Sequence, residues 1–295
     1  MKAWMVKRKA DMEHFYVITN PSKDVDLKVA HFIRDYLLKR GKTCIVDAGC
    51  ENKKSEGYTD KSQVGAETEC VIVLGGDGTL LQAAADLVDM DIPFLGINLG
   101  TLGFLAEVNV SGISEALDQL IKGKYEIEKR MMLHGTSLSK EEVMDDARAL
   151  NDIVITRKGS LQIINFNIYV NGQLLHKYHA DGVIVATPTG STGYNLSAGG
   201  PVVEPRASLI LISPICPHSM QNRSIVLASE DTVTIEIEKS RDGKIQEVEA
   251  IFDGSHKVQL CTGDKLEIRK SEKTTGIIKF CQVSFLEVLH GKMSE

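Results

Sequence analysis

The sharpest chemical feature of the chain is a carboxylate set among glycines. Cys70-Val-Ile-Val-Leu-Gly75-Gly76-Asp77-Gly78-Thr79-Leu-Leu-Gln-Ala-Ala-Ala runs from a buried-strand pattern through three glycines into a helix-forming stretch. Such glycines permit positive φ and close backbone approach, and the free amides and dipole at a helix start favour a phosphate. Asp77 is the odd member. A carboxylate beside phosphates is unfavourable unless it binds a metal or takes a proton from a reacting hydroxyl; otherwise it N-caps the helix over a tight glycine turn. The loop has neither the Gly-Lys-Ser/Thr ending of a Walker A sequence nor the G-x-G-x-x-G spacing, which argues against a dehydrogenase. Gly96, Gly100 and Gly103 follow the next strand pattern and mark either a second backbone site or a plain loop.

Apolar runs and helical patterns must position these residues. They alternate through Phe15 to Thr19, Leu27 to Lys39, Thr43 to Val46, Cys70 to Leu74, Leu80 to Met90 and Ile92 to Leu95, which reads as a Rossmann-like α/β domain. Ala30, Ile33, Arg34, Leu37 and Leu38 form a stripe on the first helix, and Gly41 stands where that helix should stop. From about Glu126 the pattern changes. Asn165 to Val170 leads into Asn171-Gly172, a hairpin signal; Val233, Ile235 and Ile237 alternate with polar neighbours, as do Leu266 and Ile268; Asp242-Gly243 and Asp253-Gly254 supply turns. The expected organisation is an α/β phosphate-binding domain over 1–125, completed by 275–295, and an all-β antiparallel domain over 126–274.

With 295 residues and 43% hydrophobic composition, the chain can bury two modest cores. Apolar runs are far shorter than the ~20 residues of a membrane-spanning helix, and no secretion signal interrupts the reading of a soluble, cytoplasmic protein. The six cysteines (Cys44, Cys50, Cys70, Cys216, Cys261, Cys281) show no zinc spacing and suit reduced thiols; no protein metal ligands are assigned. A net charge of -6 opposes nucleic-acid binding, so a bound phosphate needs local amides, a few cations or a divalent metal.

Gly75-Gly-Asp-Gly-Thr79 resembles the G-G-D-G-T signature of NAD kinases and of diacylglycerol and sphingosine kinases, with a looser likeness in phosphofructokinases. Ala149-Leu-Asn151-Asp152 and Asp181-Gly-Val-Ile-Val-Ala-Thr187-Pro-Thr-Gly-Ser-Thr192-Gly-Tyr194-Asn195-Leu-Ser197-Ala-Gly-Gly-Pro201 resemble the NAD kinase family in order and spacing, as do Asn98 to Leu105 and Ile215 to Ser219. The likeness runs from about residue 70 to 256. It implies that Gly75, Gly76, Gly78 and Thr79 hold the triphosphate of ATP, that Asp77 is the general base at the acceptor ribose, and that Asp77, Gly78, Asn151 and Asp152 contact NAD. It assigns NAD contacts also to Gln162, His179, Asp181, Thr192, Gly193, Tyr194, Asn195, Leu196, Ser197 and Ser255. Physically, that second block is a platform of hydroxyls, glycines and one stacking ring. The family often has Glu at position 152 and Ala at position 193.

The implied reaction is phosphorylation of the adenosine 2′-hydroxyl of NAD by ATP with Mg²⁺ on the phosphates. Lipid or sugar kinases of the same signature group, and a non-catalytic dinucleotide sensor, are the alternatives; no amphipathic basic helix favours a membrane substrate, and Asp77 speaks against the sensor. The resemblance also implies a homodimer or homotetramer.

Overall fold

Cys70–Gly75 is buried along its whole length, as a strand covered on both faces of a parallel sheet must be. The computed structural model describes residues 5–6, 11–47, 59–100, 103–159, 163–218, 223–280 and 284–294. Cys50, Gln162, Ser219 and Cys281 lie outside them. Contacts divide the chain into Met1–Arg130 with Lys273–Glu295, and Met131–Glu272.

The first unit strings together β1 (His14–Thr19), α1 (Lys28–Leu38), β2 (Thr43–Asp47), β3 (Cys70–Gly75), α2 (Asp77–Asp86), β4 (Phe94–Asn98) and α3 (Ile113–Ile121). Its strands pair in parallel in the order β2-β1-β3-β4, and Ile277 pairs in parallel with Phe94 on the far side of β4. The core joins Phe15, Ile72 and Leu95 of the sheet to Ile33 of α1, Leu117 of α3 and Ile278. In α1 the buried stripe is Ala30, Ile33 and Leu37; Leu38, expected on it, is exposed because it falls one residue past the i, i+3, i+7 row. Gly41 ends this helix at φ +74.

The second unit is a two-layer antiparallel sandwich. One layer holds a hairpin, β5 (Glu126–Ser139) with β6 (Glu142–Ala149). It also holds β8 (Ile164–Val170) paired with β9 (Gln173–Ala180) and β13 (Val233–Ile237), the last joined to residues 265–268 of β16 (Lys265–Lys279). The other layer comprises β7 (Asp152–Arg157), β10 (Gly182–Ala186), β11 (Leu209–Ile215), β12 (Ile225–Ala228), β14 (Glu247–Phe252) and β15 (His256–Cys261). Its order is β12-β11-β10-β7-β14-β15. Alternation decides the core: Val233, Ile235 and Ile237 face Ile155, Val185 and Ile212 across the layers. Asn171 and Gly172 take φ 51 and 78, the paired left-handed turn read from the sequence.

Candidate active site

Sheet order fixes where the first unit can hold a ligand. From β1 the chain goes outward to β2 and then crosses back to β3 on the other side of β1, so the order reverses between β1 and β3. Ligands of open α/β sheets bind at the carboxyl ends flanking such a reversal, and β3 ends there in the glycine loop.

Asp77 is the first residue of α2, after Gly76 in extended backbone, and makes no capping bond to its own helix; the N-cap alternative is therefore corrected. Its carboxylate reaches the next loop. Oδ2 accepts the Phe104 amide at 2.8 Å, and Oδ1 accepts those of Leu105 and Ala106 at 3.2 and 3.4 Å. Gly75, Gly76, Gly78 and Gly103 are all absent from the left-handed region, and close approach accounts for two of them, Gly75 and Gly103, whereas a Cβ on Gly78 would meet nothing within 4 Å. A Cβ on Gly75 would lie 2.3 Å from Thr79 Oγ1, and one on Gly103 2.0 Å from Asp77 Oδ1. Behind the loop are charges that sequence reading missed. Lys279 pairs with Glu107 at 3.7 Å and Arg130 with Glu128. Burial pushes the Lys279 ammonium below its ordinary range, while Glu107 and, more weakly, Asp77 pull the other way.

In the second unit Asn151 and Asp152 sit at the start of β7, and the Asp253 carboxylate holds them there. It accepts the amides of Leu150, Asn151 and Asp152 at 2.6, 2.8 and 3.0 Å. From the sequence Asp253-Gly254 was visible only as a turn. Burial pushes Asp253 up to about 6 against the opposite pull of those amides. Asp152 is pushed up to about 7, by burial first and then by the Asp253 charge. The Thr187 to Pro201 segment closes on the same place: Thr187 Oγ1 donates to Leu150 O at 2.6 Å and its amide donates to Asn151 O at 2.9 Å. Gly193 lies beside Asn151 Nδ2 and Asp152 Oδ2, at 3.4 and 3.7 Å from the place of a Cβ. Ser255 follows in the Asp253 turn, its amide donating to Phe252 O at 3.0 Å.

Within Thr192 to Ser197 the side chains divide. Tyr194 and Leu196 are 48% and 44% exposed, and Ser197 is also exposed while Thr192 is half-buried. Asn195 is buried; its Nδ2 donates to Ser191 O and Pro201 O, and its Oδ1 accepts from Ser213. Its side chain thus shapes the loop that carries Tyr194.

Asp181 and His179 are elsewhere on the unit. Asp152 pairs in register with Ala186, at the far end of β10 from Asp181, a separation of roughly 16 Å at ~3.3 Å per residue. There Asp181 binds Arg157 at 2.8 Å, and His179 Nδ1 lies 2.5 Å from Asn165 Oδ1. Burial, then the charges of Arg241, His176 and His218, lower the affinity of His179 for a proton.

A glycine loop at a sheet reversal that carries an anchored carboxylate, and a carboxylate-framed polar loop on an antiparallel sandwich, fit a kinase of the G-G-D-G-T class. Residues 15–125 match the ATP-NAD kinase N-terminal domain and residues 150–280 the ATP-NAD kinase C-terminal domain. The NAD kinase of Lachnospira eligens is 46% identical over 96% of this chain and 100% of its own length, and that of Lachnoclostridium phytofermentans 45% identical over 96% and 100%. Yeast NADH kinase complexed with NADH superposes with TM-score 0.81 at 25% identity, covering 96% of this chain and 87% of that one. An Archaeoglobus fulgidus NAD kinase in complex with ATP gives 0.74 at 25% identity, over 95% and 98%. The chain belongs to the NAD kinase family.

Proposed function

We propose that the chain transfers the γ-phosphoryl group of ATP to the 2′-hydroxyl of the adenosine ribose of NAD, giving NADP. The observation that carries this reading is the state of Asp77. A carboxylate has about four acceptor sites; three are taken by the 104–106 amides, which fixes the group and leaves an acceptor on Oδ2 for a hydroxyl proton. Asp77 then takes the proton as the ribose oxygen attacks, while the loop of Gly75, Gly76, Gly78 and Thr79 orients the triphosphate. Asn151, Asp152 and Gly193 bind the dinucleotide, with Tyr194 offering a ring face; His179, Asp181, Ser255 and Gln162 are assigned to NAD on the family likeness.

Mg²⁺ suits this donor set, because it is usually held by substrate phosphates plus one or two carboxylates, and no group of three or more acidic, His or Cys side chains competes for it among the described residues. When bound with ATP it neutralises triphosphate charge, with Asp77 the nearby carboxylate. No described helix is long and apolar enough to cross a membrane, and the free thiols Cys44, Cys70, Cys216 and Cys261 suit a reducing cytoplasm. Assembly is as a homodimer or homotetramer, which light scattering checks.

The assay mixes protein, Mg-ATP and NAD and follows NADP, with diacylglycerol and fructose 6-phosphate as competing acceptors. Asp77→Asn should bind NAD normally and lose about 10²- to 10⁴-fold in turnover. Phosphorylation of a control acceptor in preference to NAD contradicts the proposal.

A further inference from the structure

The glycine loop has a cationic neighbour that neither composition nor motif singled out. Lys23 lies in the turn that follows β1, on the other side of the sheet reversal from the loop that follows β3. Its ammonium stands over the glycines: Nζ is 3.3 Å from where a Cβ of Gly76 would be, and 3.9 Å from where one of Gly100 would be. The side chain is exposed, but its backbone is firmly held. The Asn20 amide donates to Leu74 O at 2.9 Å, tying the turn to the end of β3, and the amides of Lys23 and Asp24 both donate to Asn20 O. The buried Asp24 carboxylate accepts from the Val29 and Ala30 amides at 2.9 and 3.0 Å and from Thr19 Oγ1 at 3.2 Å. That leaves the adjacent acidic side chain occupied elsewhere rather than neutralising Lys23.

A second observation points the same way. Asn98 pairs in register with Gly75 and is only 3% exposed. Its Oδ1 accepts the Gly100 amide at 2.8 Å, yet its Nδ2 is buried without an acceptor. A buried donor without a partner is destabilising, and a phosphate oxygen that reached it would offset that cost. In a protein of net charge -6, a triphosphate of about four negative charges meets a repulsive field unless a local cation offsets it.

We propose that Lys23 is a binding residue for the phosphoryl donor: its ammonium pairs with phosphate oxygens of the triphosphate on the Gly75–Gly78 loop, with Asn98 Nδ2 as an accompanying donor. This rests on the kinase reading above, and it adds a cation that the G-G-D-G-T sequence itself lacks. In a Walker A loop the lysine is next to the glycines in sequence; here it comes from the turn after β1, more than fifty residues earlier.

The test titrates Mg-ATP and, separately, inorganic tripolyphosphate into the wild-type chain, Lys23→Met and Lys23→Arg without NAD, and then measures steady-state NADP formation. Loss of one charge-assisted bond weakens binding by about tenfold to a hundredfold. Lys23→Met should lose that much affinity for both probes and raise KM for ATP alike, with KM for NAD and the melting temperature unchanged. Lys23→Arg, which keeps the charge, should stay within a few-fold of wild type. Added salt should weaken wild-type binding more than that of Lys23→Met. Unchanged tripolyphosphate and ATP affinity in Lys23→Met overturns the assignment, as does a loss that falls equally on NAD. A wild-type chain that binds ATP through Lys23 but makes no NADP removes the acceptor reading and supports Lys23; one that binds neither probe overturns both.

Discussion

Replacing Gly103 by Ala tests the anchoring of Asp77 without altering its chemistry. The added Cβ would stand 2.0 Å from Asp77 Oδ1, 2.4 Å from Cγ and 2.5 Å from Oδ2. Non-bonded carbon contacts settle near 3.5–4.0 Å, so the carboxylate must retreat by roughly 1.5 Å. Gly103 has no left-handed φ, so the backbone accepts alanine and the strain falls on the carboxylate. The bonds from Phe104, Leu105 and Ala106 at 2.8, 3.2 and 3.4 Å lengthen or break together. A displacement of about 1 Å can cost about 10²-fold in rate, and losing these bonds destabilises by about 2 kcal/mol. Steady-state NADP formation at 25 °C should therefore show kcat down by about 10²-fold, with KM for ATP and NAD within a few-fold. The decisive comparison is a double-mutant cycle with Asp77→Asn. If Gly103→Ala acts through the carboxylate, it adds almost nothing once that carboxylate is gone. A single variant with kcat within threefold of wild type, or fully additive losses in the cycle, refutes the reasoning.

The remaining predictions concern the second unit. Asp152, pushed up to about 7 against an ordinary 3.8, keeps in the folded state a proton that the unfolded chain has already released between those values. Its stabilising contribution is full below pH 3.8 and is lost as pH rises through 7, so Asp152→Asn should flatten the fall in stability between about pH 4 and 7, with a ceiling of about 4 kcal/mol; parallel thermal melts of both chains at each pH check it. Gly190→Ala would put a Cβ 2.1 Å from the Asn151 carbonyl oxygen, so it should raise KM for NAD at least tenfold. Gly193, at φ -93 with its nearest neighbour 3.3 Å from a Cβ, should accept alanine with KM little changed and stability altered by no more than about 1 kcal/mol. Asp253→Ala strands three amides that Asp253 now accepts and should cost about 2–4 kcal/mol while raising KM for NAD, read by chemical denaturation and initial rates.

What could be read from the sequence and what could not follows from how far apart the interacting groups are along the chain. The strand-glycine-helix segment, the Asn171-Gly172 hairpin and the alternation of Val233, Ile235 and Ile237 are local patterns, each decided by backbone preference within a few residues, and each is present in the fold. The groups that frame the candidate site are not local. Asp253 is 101 to 103 positions from the amides it holds, Asp77 is 27 to 29 from its own, and Lys23 meets Gly76 only because β1 and β3 are neighbours in the sheet. Each of these depends on strand order or register, which turn and helix signals do not encode. The same limit applies within the block around Asn195: it is contiguous in sequence, but a four-residue helical turn leaves Tyr194 and Leu196 exposed and turns the Asn195 side chain inward to Ser191, Pro201 and Ser213. In both units the candidate site pairs glycines and an acidic side chain, legible as a local motif, with groups remote in sequence that hold the local backbone in place. Substituting the remote partner should therefore change KM or kcat as much as substituting the residue within the motif, although no local pattern identifies it.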